Sequence, residues 1–249
     1  MKKVFLSALL AVGTLLAAAE VAPVGAWNFE QVKKNVVKAT AGPDGKIINL
    51  GKNARIVPGR SGGSALYIGG GWDNSDRNAN GALVISNFAP EYDKPFTIIF
   101  DFKLDADPEN KNYRKFKTLV EAASGERGPG FRVYIFYGSL QFRTGDGKNN
   151  MKHVAANSST VRIPTACWSR LAIVYTGKTA TLYVNGTQAA HGDMEIMKCN
   201  QKNLVFGSYR AGFANPATAA YDNIAVYDQA LSASEIAENY LETLTRDHE

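Results

Sequence analysis

The stretch from Trp168 to Gly186 leaves the chain little freedom in how it folds. Two runs rich in β-branched and aromatic side chains flank Thr176-Gly177-Lys178, and the second run closes on Asn185-Gly186. Gly and Asn accept the positive φ that tight turns demand, so the stretch predicts an antiparallel β-hairpin. Side chains alternate across a strand. Ser169, Leu171, Ile173 and Tyr175 therefore share one face of the first strand, and Arg170, Ala172 and Val174 share the other. In the second strand Ala180, Leu182 and Val184 oppose Thr181, Tyr183 and Asn185. Each strand has an apolar face suited to a core and a mixed face suited to something else.

The same reading extends outwards. Residues 96–104 alternate well, with Ile98, Phe100, Phe102 and Leu104 against Thr97, Ile99, Asp101 and Lys103. Further strands are expected at 26–29, 46–57, 64–68, 82–88, 117–123, 130–137, 139–143, 200–208 and 223–227. Residues 33–45 are polar and close on the turn signal Gly42-Pro43-Asp44-Gly45, and residues 69–81 are too rich in Gly, Asn and Asp for a regular element. One helix is expected, at the end. Ser232 and Glu235 have the spacing of a capping box, and Ile236, Tyr240, Leu241 and Leu244 then fall on one helical face. Strand after strand with short turns, then one helix, predicts an all-β, two-sheet antiparallel sandwich. There is no internal repeat or low-complexity linker, so residues 20–249 read as a single domain.

The order of the hairpin, Leu204-Val205-Phe206-Gly207-Ser208, the string from Tyr221 to Asp228 and the string from Ala230 to Ile236 resembles the laminin-G-like, or concanavalin A-like lectin/glucanase, jelly-roll domains of many secreted bacterial proteins. The likeness is best over residues 96–240. It implies a jelly-roll sandwich whose opening aromatic strand pairs near the C-terminus. It also implies a structural Ca2+ between that opening strand and an acidic residue of the penultimate one. Asp222 matches the acidic position, and Asn28 or Glu30 supplies the other side. Val32-Lys33-Lys34-Asn35 stands where the family usually has further acidic residues.

The N-terminus reads as a cleaved leader. Lys2-Lys3 precede an apolar run from Val4 to Leu16, then Ala17-Ala18-Ala19, which suits signal peptidase. Residues 1–19 are accordingly set apart, the mature chain is expected to be secreted, periplasmic or at the cell surface, and nothing later reads as a membrane span. Of 28 Lys and Arg, losing Lys2 and Lys3 leaves 26 against 23 Asp and Glu. That mild balance, without basic runs interleaved by aromatics, argues against nucleic acid as partner. Two cysteines in an exported chain suggest one disulfide, Cys167 to Cys199; two free thiols are the alternative.

Catalytic patterns are poorly represented. Glu91-Tyr92-Asp93 approaches the carboxylate triplet of some glucanases on this fold, but Phe96 stands where a second glutamate is needed, and Pro90 and Pro95 disfavour a central strand. No nucleophile elbow or phosphate loop is present. A non-catalytic, lectin-like module fits better, because sugars are held by aromatic rings and by Asp, Arg and Gln side chains. The candidates are Asp101, Arg132, Tyr134, Gln141, Arg143, Arg170 and Tyr183 on the polar strand faces, with Trp72 and Asp73 as a rim. If the strands share a sheet, these residues line one face of it. A divergent glycoside hydrolase or polysaccharide lyase and a protein-binding adhesive surface protein are the rival readings.

Overall fold

The computed structural model describes residues 21–70, 79–106, 116–125, 127–148, 150–156, 161 and 163–247; the expected leader lies outside them. The strands are β1 (Gly25–Trp27), β2 (Val32–Lys33), β3 (Val36–Val37), β4 (Gly45–Ile48), β5 (Ala54–Pro58) and β6 (Ser64–Ile68). They continue with β7 (Ala82–Ile85), β8 (Phe96–Leu104), β9 (Lys117–Ala123), β10 (Gly130–Phe136), β11 (Ser139–Gly145) and β12 (Met151–Ala155). The set ends with β13 (Trp168–Tyr175), β14 (Thr179–Val184), β15 (Thr187–Asp193), β16 (Leu204–Phe206), β17 (Ala219–Tyr227) and the helix α1 (Ala233–Arg246).

Two antiparallel sheets form. The first runs β15-β14-β13-β8-β17-β6-β5, with β1 paired to β17; the second runs β12-β11-β10-β9-β16-β7-β4-β3-β2. Their apolar faces meet in one core. Ile98, Phe100, Phe102, Leu171, Ile173 and Tyr175 from the first sheet face Leu119, Phe131, Val133 and Phe142 from the second. Phe96 packs on Phe131 at 5.2 Å between ring centroids, and Phe100 meets Phe206 edge-on at 5.6 Å. Alternation in the sequence decides this sorting, since a slip of one residue would turn each apolar set to solvent.

Three local expectations change. The run 46–57 is not one strand: it breaks at Asn49 (φ 56°) and Gly51 (φ 85°), so β4 joins the second sheet and β5 the first. The polar run after Glu30 contains the β2–β3 hairpin, turned at Lys34 (φ 58°). The edge strands β12 and β15 come from polar sequence, ordered by pairing to β11 and β14 rather than by burial.

Helix α1 covers part of the outer face of the first sheet. Ile99, Ala172, Val174, Tyr183, Tyr227, Leu231 and Ile236 form a second apolar cluster beneath it. The helix starts as expected: Ser232 Oγ accepts from the Glu235 amide and Glu235 accepts from the Ser232 amide. Leu241, expected against the sandwich, is 59% exposed, and Thr243 is buried in its stead.

Beside that cluster Asp101 is fully buried. It accepts from Arg60 Nη1 at 2.8 Å, Arg170 Nη1 at 2.9 Å and Asn223 Nδ2 at 2.9 Å. Arg170 Nε donates to Asn239 Oδ1 at 2.9 Å, and Arg60 Nε donates to Asp247 Oδ2 at 3.0 Å, so both guanidiniums reach from the sheet to the helix. Removing one member of such a buried pair typically costs about 3–5 kcal/mol, because a charge is left without its partner. Asp101, Arg170 and Tyr183 thus hold the helix down, which corrects their expected role as ligand contacts.

The cysteines are a second correction. Cys167 and Cys199 are both free thiols. Cys167 precedes the Trp168 end of β13, which pairs with Lys103, whereas Cys199 Sγ lies 3.3 Å from Tyr92 Oη, beyond the Tyr175–Phe96 end. Eight residues of strand separate the two ends, roughly 25 Å at strand rise, far outside bridging range.

Candidate functional site on the second sheet

Polar and aromatic side chains lie together on the outer face of the second sheet, which no helix among the described residues covers; the first sheet keeps a smaller row beyond the helix, with Arg55 over Tyr67 at 3.7 Å and Lys103 over Trp168 at 5.1 Å. Register places Arg132 between Glu121 on β9 and Arg143 on β11, and Arg143 opposite His153 on β12. The next row carries Thr118, Tyr134, Gln141 and Ala155. Arg132, Tyr134, Gln141 and Arg143 were expected on one face and are found there. Asp101, Arg170 and Tyr183 belong to the other sheet, so no single face joins all seven. Trp72 and Asp73 lie outside the described residues.

The sequence reading missed Glu121, Tyr209, Arg210 and Phe116. Glu121 is 2% exposed; its Oε2 accepts from Arg132 Nε at 2.7 Å and its Oε1 from the Arg210 amide at 2.7 Å. Burial pushes the Glu121 carboxyl up, against the pull of Arg132 and Arg210. The Arg132 guanidinium sits 4.3 Å from the centre of the Tyr209 ring and donates to the Gly125 carbonyl at 3.2 Å. Arg143 lies over Tyr134 at 5.1 Å, and Tyr134 Oη donates to Gln141 Oε1 at 2.6 Å. Phe116 continues the row, 5.3 Å from Tyr134 and stacked on Phe136 at 4.0 Å; Tyr137 meets Phe136 edge-on at 4.3 Å.

The result is a stripe of rings and guanidiniums from Tyr209 to Tyr137. Its floor is dry: Arg132, Tyr134 and Arg143 are 4%, 3% and 8% exposed. Accessible to a ligand are the half-buried Gln141, Phe116 and Phe136 and the exposed Tyr137, His153 and Arg210. Two of these sit on special backbone. Tyr137 (φ 50°) and Gly138 (φ 70°) turn the β10–β11 hairpin, and Arg210 (φ 48°), Ala211 (φ 52°) and Gly212 (φ 103°) are successive left-handed residues. Such non-glycine conformations cost of order 1–3 kcal/mol each and persist where their surroundings fix them. Here the Glu121 carboxylate holds Arg210, and Ala211 packs on Ala82, Val84 and Val205.

A family model for the concanavalin A-like lectin/glucanases superfamily matches residues 77–237. The chain belongs to that superfamily. Solved structures agree on the fold. The binding domain of Paraclostridial mosquitocidal protein 1 aligns with a TM-score of 0.66 at 17% identity, over 88% of this chain and 52% of that one. The binding domain of botulinum neurotoxin serotype D aligns at 0.61 and 16% (90% and 51%), and that of serotype G at 0.63 and 12% (88% and 51%). The chain spans about half the length of these structures. No curated protein matches it.

The position expected from this superfamily to hold calcium is built around the turn from Gly59 to Ser64. Asp222 accepts from the Arg60 amide at 2.9 Å and the Asn223 amide at 2.7 Å, and Glu30 accepts from the Ser64 amide at 2.8 Å. A side chain on Gly59 would start 2.8 Å from Asp222 Oδ2, and one on Gly63 2.2 Å from Glu30 Oε1, so the turn packs closely against both carboxylates and only glycine fits there. Burial, with Asp101 and Glu30 nearby, pushes the Asp222 carboxyl up to about 6. Asn28 turns to the Glu30 amide at 3.4 Å. Among the described residues no three His, Cys, Asp or Glu side chains cluster. Two carboxylates therefore suit Ca2+ only with backbone carbonyls and water completing its six to eight oxygens.

The buried Glu121–Arg132 pair yields a stability test. Replacing Arg132 by Met leaves a dry carboxyl without its guanidinium and is expected to cost about 3–5 kcal/mol in urea unfolding, whereas Glu121→Gln with Arg132→Met recovers most of that loss. A double-variant loss equal to the sum of the Arg132→Met and Glu121→Gln single losses would show that the pair is not coupled.

Proposed function

We propose that the chain is a secreted, non-catalytic carbohydrate-binding module whose ligand lies on the outer face of the second sheet. The observation that carries this reading is the stripe itself. Aromatic rings and guanidiniums alternate on one face, with the Gln141 amide at its edge, and rings against pyranose faces with amides on hydroxyls are how proteins hold sugars. The jelly-roll family and its likeness to toxin binding domains support a binding role.

A glycosidase is the weaker reading. It needs two carboxyl groups about 5–9.5 Å apart. Among the described outward residues of β9 to β12, Glu121 is the one carboxylate, and it is engaged by Arg132 and the Arg210 amide. A glycan array followed by titration of the best ligand tests the proposal. Gln141→Ala and Tyr137→Ala are each expected to weaken binding about tenfold, Leu241→Ala on the helix to leave it unchanged, and no substrate to be cut. Release of reducing or unsaturated ends would overturn the non-catalytic part; binding to no glycan would overturn the rest.

The proposal includes a structural calcium ion held by Asp222 and Glu30, tying the opening strand to β17. Millimolar Ca2+ is expected to raise the melting temperature by about 3–6 °C, by preferential binding to the folded state. Asp222→Asn should abolish that gain. An identical melting temperature with Ca2+ or EDTA in the wild-type protein counts against the ion.

A further inference from the structure

We infer a second, cationic subsite at the far edge of the same sheet, so that the ligand is a long linear polyanionic glycan, sulfated or uronic; this rests on the glycan reading above. Register fixes the geometry. Lys33 on β2 pairs with Val36 on β3, Val36 with Lys46 on β4, Lys46 with Val84, Val84 with Val205, and Val205 with Glu121. Glu121, Arg132, Arg143 and His153 continue the line. One row of outward positions thus crosses all nine strands, and eight strand spacings make it on the order of 40 Å long.

Charge along that row is of one sign at its accessible points. Lys33, Lys34 and Lys46 are exposed at one end, and none of them makes an ion pair among the described residues. Lys38 differs: Asp44 takes its ammonium at 3.1 Å. Val36, between Lys33 and Lys46, is 40% exposed and borders a hollow of about 520 Å³ that Val32, Lys33 and Lys34 also line. In the middle of the row Val84 and Val205 are roofed by Ala211, and on that roof Arg210 is exposed. Three strand spacings separate the Lys46 column from the Glu121 column that anchors Arg210, about 14 Å. Glu121, the one acid of the row, is buried against Arg132.

A chain lying across the strands therefore meets ammonium groups at the β2–β4 edge, then the Arg210 guanidinium, then the aromatic stripe. Separated cations in single file on a sheet face suit a linear polymer with repeating negative charges, whose bound counterions are released on contact. A membrane surface would need the cations on one protruding face instead. The flanking apolar side chains, Val36 above all, add contact with sugar rings.

Dextran sulfate and unmodified dextran are the probes, titrated from 50 to 300 mM NaCl. The wild-type protein is expected to bind dextran sulfate with a steep salt dependence. Lys33→Gln with Lys46→Gln should weaken binding about tenfold at 150 mM and lower the slope of log K against log salt by about two. Lys178→Gln, on the first sheet's hairpin, should change neither. All three lysines are exposed, and circular dichroism checks that the variants fold. The same slope and affinity in wild type and double variant would overturn the subsite while leaving the glycan reading intact. So would stronger binding to anionic phosphatidylserine vesicles than to dextran sulfate. Failure to bind dextran sulfate at 50 mM, with neutral glycans bound, would overturn the polyanion; failure to bind any glycan would overturn the underlying reading as well.

Discussion

A fully buried carboxylate, Asp101, fixes the C-terminal helix against the first sheet. It accepts from two guanidiniums and an amide, and those guanidiniums reach Asn239 and Asp247 at either end of the helix's last turns. Buried charges persist when they are paired and hydrogen-bonded on every side, as here. The consequence is geometric. The helix is held against the first sheet, its apolar side packs on Ile99, Ala172, Val174 and Tyr183, and that part of the face is closed to a ligand.

The second sheet, which no helix among the described residues covers, is the proposed binding surface. It carries its own buried pair, Glu121 with Arg132, which fixes the strained Arg210 loop and seats Tyr209 on the guanidinium. The two buried acids thus do opposite things: one seals part of a face with a helix, the other props up a loop that leaves rings and cations at the surface. The floor of the stripe positions, and its rim contacts. The rim is where family members with one fold can differ in what they bind, because fold and site are separable.

Much of the fold was legible in the sequence because it follows from period-two alternation and turn chemistry. β8, β13 and β14 came out with their faces assigned correctly, and so did the capping box at Ser232. What alternation cannot give is the sheet to which a strand belongs. Asp101, Arg170 and Tyr183 look like Arg132, Tyr134 and Arg143 when read in one dimension, each a polar residue among apolar ones. Partnership alone separates them. Glu121 was hidden for another reason: the register of β9 against β10 shifts between Val133 and Tyr134, so Thr118 and Glu121 share a face that strict alternation would deny them. Tyr209 and Arg210 sit in a loop without periodicity. The cysteines misled because strand ends come in two kinds, and theirs are at opposite ends of the sandwich.

The central claim is that the helix covers the middle of one sheet and that the proposed binding surface is on the other. Amide hydrogen exchange, measured on the full chain with and without a saturating bound glycan, tests it most directly. Added protection is predicted on β9 to β11 and on residues 209–212, with the helix and β13–β14 unchanged. Protection that fell on the helix or on β13–β14, with the second sheet unaffected, would contradict the account.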